Sequence, residues 1–192
     1  MRRPEPVSGI ALTHPSPPRW RAMTAADLPC VLAVAAQAHP GYPEDEAVFT
    51  ERLALSAQGC LCLEETGLEE SGRVGGYVVS HPWLLGQVPA LNSQLGALPD
   101  SADTYYIHDL ALLPQLRGSG AANEVVAQLV RLARGAGFAS LALAAVNGSA
   151  GFWRRHGFRE THDASLDRKL ASYDDAARYM VRDLATDEGK PE

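Results

Sequence analysis

YYIHDLALLPQLRGSGAANEVVAQLVRLARGAG, residues 105–137, is the stretch on which the fold turns. Its first part, 105–113, is dense in aromatic and aliphatic residues and reads as the strongest strand of the chain. Gly118, Ser119 and Gly120 then open a helix running to about residue 134. Val125, Val126, Leu129, Val130 and Ala133 fall on one face of it, and Gly135 and Gly137 end it. A strand that turns through glycines into a helix has a specific chemical use. Glycines let the backbone approach a ligand closely. The helix start leaves free N–H groups and a partial positive charge, which together suit phosphate. Arg117 adds a full charge at the mouth. No Gly-Lys-Ser/Thr follows, so this is not a Walker A loop. The third glycine of the dinucleotide fingerprint GxGxxG is absent.

Downstream, 140–146 (SLALAAV) is an apolar strand of the kind buried on both faces. Residues 149–156 form a short helix ended by Gly157. Segments 158–162 and 178–184 are candidate closing strands, with a polar loop or short helix over 163–175 between them. Upstream, 20–23 reads as a short strand. Asp27 is placed to cap a helix that has Pro29 in its first turn and Leu28, Val31, Leu32 and Ala35 at helical spacing. Pro40, Gly41 and Pro43 break it, and 44–56 forms a second helix with Val48, Leu53 and Leu55 as core contacts. Residues 60–64 (CLCLE) and 74–81 (VGGYVVSH) make an antiparallel hairpin around the acidic turn 65–72. Residues 82–103 carry no clear period. A connection that long inside a compact domain is often functional. Residues 1–18, with five prolines, read as a loose arm; 19–184 form one domain and 185–192 a tail.

The composition sets bounds on all of this. A chain of 192 residues, 46% hydrophobic and 21% charged, is long enough for one full core. A net charge of -6 does not suit a general nucleic-acid or anionic-membrane binder. No apolar run approaches the ~18 residues of a membrane span, and the first residues hold no continuous apolar core of a secretory signal. The expectation is a cytoplasmic protein. Cys30, Cys60 and Cys62 give neither a disulfide framework nor a zinc motif; Cys60 and Cys62 share a strand face and read as small buried hydrophobes.

The glycine turn resembles the acetyl-CoA signature of the GCN5-related N-acetyltransferases, Gln/Arg-x-x-Gly-x-Gly/Ala. Arg117-Gly118-Ser119-Gly120-Ala121-Ala122 fits it, and a second register begins at Gln115. The first is preferred, since the distance from Leu112 to Arg117 matches the family's spacing. A second block, Asn147-x-x-Ala150 followed by Phe152-Trp153-x-x-x-Gly157-Phe158, resembles the family's fifth strand and fourth helix. The order of elements agrees, over roughly residues 19–184. YIHDLAL, the long insertion before it and the proline break also resemble, more weakly, the arylalkylamine N-acetyltransferases.

The resemblance implies an α/β fold: a mixed, mostly antiparallel sheet of about seven strands flanked by about four helices, with strands four and five splayed. It implies acetyl-CoA as cosubstrate and no metal. The pantetheine arm would pair with Leu110, Ala111 and Leu112. The pyrophosphate would lie on Arg117, Gly118, Ser119, Gly120, Ala121, Ala122 and Asn123. Asn147 would contact the arm, and Trp153 would pack beside it. The family's usual general acid is a tyrosine where this chain has Trp153. His156, Tyr105 and Tyr106 are the candidates to replace it.

A thioester is attacked only by a neutral amine, so a base working near neutral pH is required. His108 is the candidate. Asp109 would face the other side of the sheet under strict alternation. The acceptor pocket is expected from the 40–43 break and the 82–103 insertion, with Trp83, Leu84, Leu85, Val88, Leu91 and Leu95 as an apolar lining. Glu44, Asp45 and Glu46 read as a solvated helix start or as a lure for a polyamine. The expected reaction is acetyl transfer to the primary amine of a small, apolar or aromatic acceptor by direct attack in a ternary complex. The alternatives are a protein or peptide acetyltransferase and a non-catalytic acyl-CoA sensor. A homodimer is compatible with the resemblance; no nucleic-acid or membrane partner is expected.

Overall fold

A computed structural model describes residues 17–65, 73–171 and 176–185. The proline-rich residues 1–16, most of the acidic turn, residues 172–175 and the tail beyond residue 185 lie outside them. The helices are α1 (Leu28–Ala38), α2 (Glu46–Leu55), α3 (Ala121–Gly135), α4 (Ala150–Arg155) and α5 (Ala164–Ala171). The strands are β1 (Arg19–Ala22), β2 (Cys60–Glu64), β3 (Val74–Trp83), β4 (Thr104–Leu112), β5 (Ser140–Ala145), β6 (Arg159–Glu160) and β7 (Arg178–Asp183). One sheet holds all seven in the order β1-β2-β3-β4-β5-β7-β6. Every neighbouring pair is antiparallel except β4 with β5, the two strands that α3 connects.

The apolar pattern of each element explains its place. α3 buries Val125, Val126, Leu129, Val130 and Ala133 on one sheet face, together with Tyr105, Ile107, Leu141 and Leu143. Each larger side chain there contributes roughly 1.5–3 kcal/mol. The opposite face carries α1 and α2 over Cys60, Cys62, Tyr77, Val79 and Ala111. Burial pushes the Cys60 thiol up to about 11 and the Cys62 thiol to about 12, so both are inert packing groups. Among the described residues there are five α-helices, where about four were expected. In the polar segment after β6, Leu166 and Leu170 lie one helical turn apart and bury against Tyr106, Ala142 and Tyr179, which makes α5.

Local corrections follow from packing. Asp27 makes no cap bond to α1. Its carboxylate takes the Arg21 guanidinium at 2.7 and 2.8 Å and the Thr24 amide at 2.8 Å, a charged fork stronger than a neutral cap bond. In α2 the buried residues are Val48, Phe49 and Arg52, while Leu53 and Leu55 are half-buried.

Two departures from regular pairing shape the centre. β4 and β5 pair only from Tyr105–Leu141 to Ile107–Leu143, after which β4 continues to Leu112 without β5 beside it. The strands splay there. On the other edge Val79 pairs with Asp109 while Ser80 pairs with Ile107, so His108 is the extra residue of a β-bulge. Beyond the bulge the side-chain phase is reversed. Asp109 therefore faces the α1 side with His108, against the alternation expected from sequence.

Candidate active site

The splay opens a cleft of about 410 Å³. Its walls are Ile107–Leu112 on β4, Leu143 and Ala144 on β5, the end of α1 and the start of α4. Of the residues singled out for a cofactor, Leu110, Ala111, Leu112, Arg117, Ala122, Asn147 and Trp153 line it. Gly118, Ser119, Gly120, Ala121 and Asn123 do not line it directly. Gly118 and Gly120 have φ of +80° and +89°, backbone that favours glycine, and a Cβ built on either meets open space. Ser119 Oγ donates to the Leu116 carbonyl and accepts from the Ala121 amide at 3.3 Å. Ala121 itself is buried, and its carbonyl accepts from Trp20 Nε1. Free helix-start N–H groups are thus those of Ala122 and Asn123, which precede the first turn's own acceptors. Asn123 Oδ1 accepts from His156 Nε2 at 3.1 Å. Trp153 is buried against Phe152 and Phe158.

A smaller cavity of about 100 Å³ adjoins the cleft and shares His39, His108, Asp109, Ala144 and Val146 with it. Its remaining lining is Tyr42, Glu44, Val88, Pro89, Leu91, Tyr106 and Leu170. Of the apolar residues expected from the insertion, Val88 and Leu91 reach it; Trp83, Leu84, Leu85 and Leu95 do not. Trp83 instead packs at the end of β3, and Leu85 is exposed. Leu170 enters from α5, within the segment expected as a polar loop or short helix.

Two histidine–carboxylate pairs stand where the cavities meet. His108 Nε2 lies 2.9 Å from Glu44 Oε2, with side chains 10% and 6% exposed. Glu44 is therefore neither a solvated helix start nor a free lure. His39 Nε2 lies 3.0 Å from Asp109 Oδ1. That N–H is not aligned with the oxygen, so the contact is an ion pair more than a directed bond. Burial works against a proton on His39, but the Asp109 carboxylate outweighs it and holds the imidazole above its ordinary range. Burial likewise opposes the Asp109 charge, yet His39 and the Tyr77 hydroxyl, which donates to Oδ2, keep its pKa low. His39 Nδ1 is 3.1 Å from Asn147 Nδ2.

The insertion over 84–103 is braced as a wall. Asn92 donates its backbone N–H to Glu44 Oε1 at 3.1 Å and exchanges two bonds with Asp45, 2.7 and 3.0 Å. Glu51 accepts the Leu95 and Gly96 amides at 2.6 and 2.9 Å, and fully buried Arg52 donates to the Ser93 carbonyl at 2.9 Å. Of these, Glu44, Asp45 and Leu95 were expected near the acceptor pocket, whereas Glu51, Arg52, Asn92, Ser93 and Gly96 were not. His39 and Tyr42 stand in the string HPGYPE over 39–44, which sets a histidine, a tyrosine and a carboxylate around the chain break.

Among the described residues no helix is long and apolar enough to cross a membrane. Comparison with solved structures finds the same fold widely. The GphF GNAT-like decarboxylase in complex with isobutyryl-CoA is 17% identical, covering 86% of this chain and 99% of its own, with a TM-score of 0.68. The NatC complex bound to Gag peptide and CoA gives 14% identity, 88% and 99% coverage and 0.66. The GNAT family N-acetyltransferase YhbS from Escherichia coli, in complex with CoA, gives 21%, 92% and 88%, and 0.54. At these identities the likeness concerns the fold. No curated protein matches the sequence. The Acetyltransferase (GNAT) family matches residues 21–158, most of the chain. This chain, with its splayed fourth and fifth strands and its glycine turn, belongs to the GNAT acetyltransferase family.

Proposed function

We propose that the protein transfers an acetyl group from acetyl-CoA to the primary amine of a small acceptor with an apolar body. The observation that carries this reading is that one ionisable pair, His108 with Glu44, stands where a long cleft and a small, mostly apolar cavity meet. The cleft fits a CoA arm. The β4 edge from Leu110 to Leu112 is free of β5, Arg117 supplies charge, and the α3 start offers N–H groups to the pyrophosphate. Asn147 and Trp153 would flank the arm. The small cavity fits the acceptor: Tyr42, Val88, Pro89, Leu91, Tyr106 and Leu170 would hold an apolar body and leave the amine beside His108.

The balance is R–NH3⁺ plus acetyl-CoA giving the amide, CoA thiol and one proton. The ammonium must lose a proton before it attacks, and its nitrogen a second one as the amide forms. His108, oriented through Nε2 by Glu44, takes the proton from the attacking nitrogen. Glu44 and Asp109 put carboxylates beside the cavity, which suits a cationic amine. A cytoplasmic, metal-independent enzyme with no nucleic-acid or membrane partner completes the proposal. A non-catalytic acyl-CoA sensor would require neither pair.

The test is thiol release from acetyl-CoA against a panel of aromatic amines, aliphatic amines, polyamines, amino acids and short peptides, from about pH 6 to 9. Turnover confined to small apolar amines is the expected result. Turnover confined to peptides would favour a protein acetyltransferase. Tight CoA binding by calorimetry without turnover on any amine would favour the sensor.

A further inference from the structure

The leaving sulfur needs a proton as well as the amine needing a base, and the two demands call for different groups. None of the residues first considered for that acid is placed to serve. Tyr105 lies under the opposite face, its hydroxyl 3.5 Å from Ser80 Oγ. Tyr106 lines the acceptor cavity but not the cleft. His156 lines neither; it donates to Asn123, and burial with Arg182 and Arg155 nearby disfavours its protonated form.

His39 does line the cleft, as well as the acceptor cavity. We propose that His39, held between Asp109 and Asn147 and backed by Tyr77, is the proton donor to the leaving thiolate. The proposal rests on the acetyltransfer reading above. Its geometry is a chain across the splay: Tyr77 OH to Asp109 Oδ2, Asp109 Oδ1 to His39 Nε2 at 3.0 Å, and His39 Nδ1 to Asn147 Nδ2 at 3.1 Å. The carboxylate sits against one ring nitrogen, and the other points to Asn147 past the end of β5, inside the cleft. Asn147 serves both protonation states. Its Nδ2–H faces a neutral Nδ1, and an amide flip offers Oδ1 to a protonated one. His108 also lines both spaces, but its partner Glu44 lines the small cavity and not the cleft, which ties that pair to the acceptor.

The groups facing His39 are Asp109 and His108 from β4, Tyr77 from β3, Tyr42 and Glu44 from the α1–α2 connection, and Arg117 beyond β4. Arg117 opposes the proton, and Asp109 outweighs it. The step balances as follows. The amine nitrogen bonds to the acetyl carbon and gives its proton to His108. The C–S bond breaks, its electron pair goes to sulfur, and sulfur takes the His39 proton. Solvent then returns a proton to His39 and removes one from His108.

The experiment compares a titration with a rate profile. Nitrogen-15 NMR of the wild-type imidazoles gives the His39 pKa without turnover, and the pH dependence of kcat gives the alkaline limb. A proton donor loses activity as pH rises through its own pKa, so the two values should coincide above the ordinary imidazole range. Asp109→Asn should move both downward together. His39→Gln should lower kcat about 10²-fold or more and remove the limb, while CoA affinity stays within a few-fold of wild type. His39 titrating at or below the ordinary range, or an alkaline limb that survives His39→Gln, overturns the assignment. Absence of turnover by the wild type on every amine overturns the acetyltransfer reading instead.

Discussion

His108 Nε2 and Glu44 Oε2, 64 residues apart in sequence, meet at 2.9 Å beneath the wall built by the 84–103 insertion. The same carboxylate receives the Asn92 amide on its other oxygen. One side chain therefore orients the proposed base and anchors the acceptor wall.

Replacing His108 by Gln should reduce kcat/KM for the amine by about 10²–10⁴-fold at neutral pH. The fall in rate on the acid side should disappear, since that limb reports loss of a neutral base. Glu44→Gln keeps a hydrogen-bonding group but removes the charge. It should lower kcat by up to about 10²-fold through misplacement of the ring. Steady-state profiles of both variants check this, and a His108→Gln profile that keeps its acid limb would remove His108 from the role.

Gly120 opens α3 with φ of +89° and open space where a Cβ would stand. Gly120→Ala should cost about 1–2 kcal/mol of stability through backbone strain. Gly120→Glu adds a carboxylate where the diphosphate of CoA is proposed to lie, and should weaken CoA about 10-fold beyond the alanine variant. Calorimetry decides between strain and charge: equal affinities in the two variants would place the diphosphate elsewhere.

Arg52 is fully buried, bonded to Glu51 and to the Ser93 carbonyl. Arg52→Ala leaves Glu51 with its two loop amides but without its cation. Loss of one partner of such a pair should destabilise the fold by roughly 3 kcal/mol, measured by urea unfolding. Because the wall lines the cavity proposed for the acceptor, KM for the amine should rise more than KM for acetyl-CoA.

His81 is fully buried, its Nδ1 2.9 Å from the Pro82 carbonyl and its Nε2 without a hydrogen-bond partner among the described residues. Burial lowers its pKa to about 3 from 6.5. The folded state thus keeps the ring neutral while the unfolded chain charges it. The stability this contributes is fully present above 6.5 and is lost as pH falls toward about 3. It amounts to a few kcal/mol, on the order of the shift itself. His81→Phe should flatten the unfolding midpoint across that window. An equally steep acid decline in the variant would assign the effect to the carboxylates instead.

Much of the architecture was written in local pattern. The alternation in 60–64, the apolar run at 140–146 and the one-faced heptad of α3 each name an element without reference to the rest of the chain. The glycine turn and the block at 147–158 likewise identified the family, because their spacing reflects backbone geometry that only particular residues allow. The site was legible in part. His108 was found because its residue type fits a task. Asp109 was misplaced, since a bulge shifts the side-chain phase by one residue and nothing in YIHDLAL signals where the extra residue sits.

The sequence by itself determined the order of strands and helices, the glycine turn before α3 and the presence of a histidine on the central strand, for these depend on residues close in the chain. Only the tertiary structure decided the pairings. Glu44 with His108, His39 with Asp109, and Arg52 with the 84–103 wall each join segments remote in sequence. Such contacts depend on how the splay and the bulge turn β4 toward α1. A buried charge finds its partner in space, where burial makes pairing necessary, and neighbouring residues in the chain carry no record of that requirement.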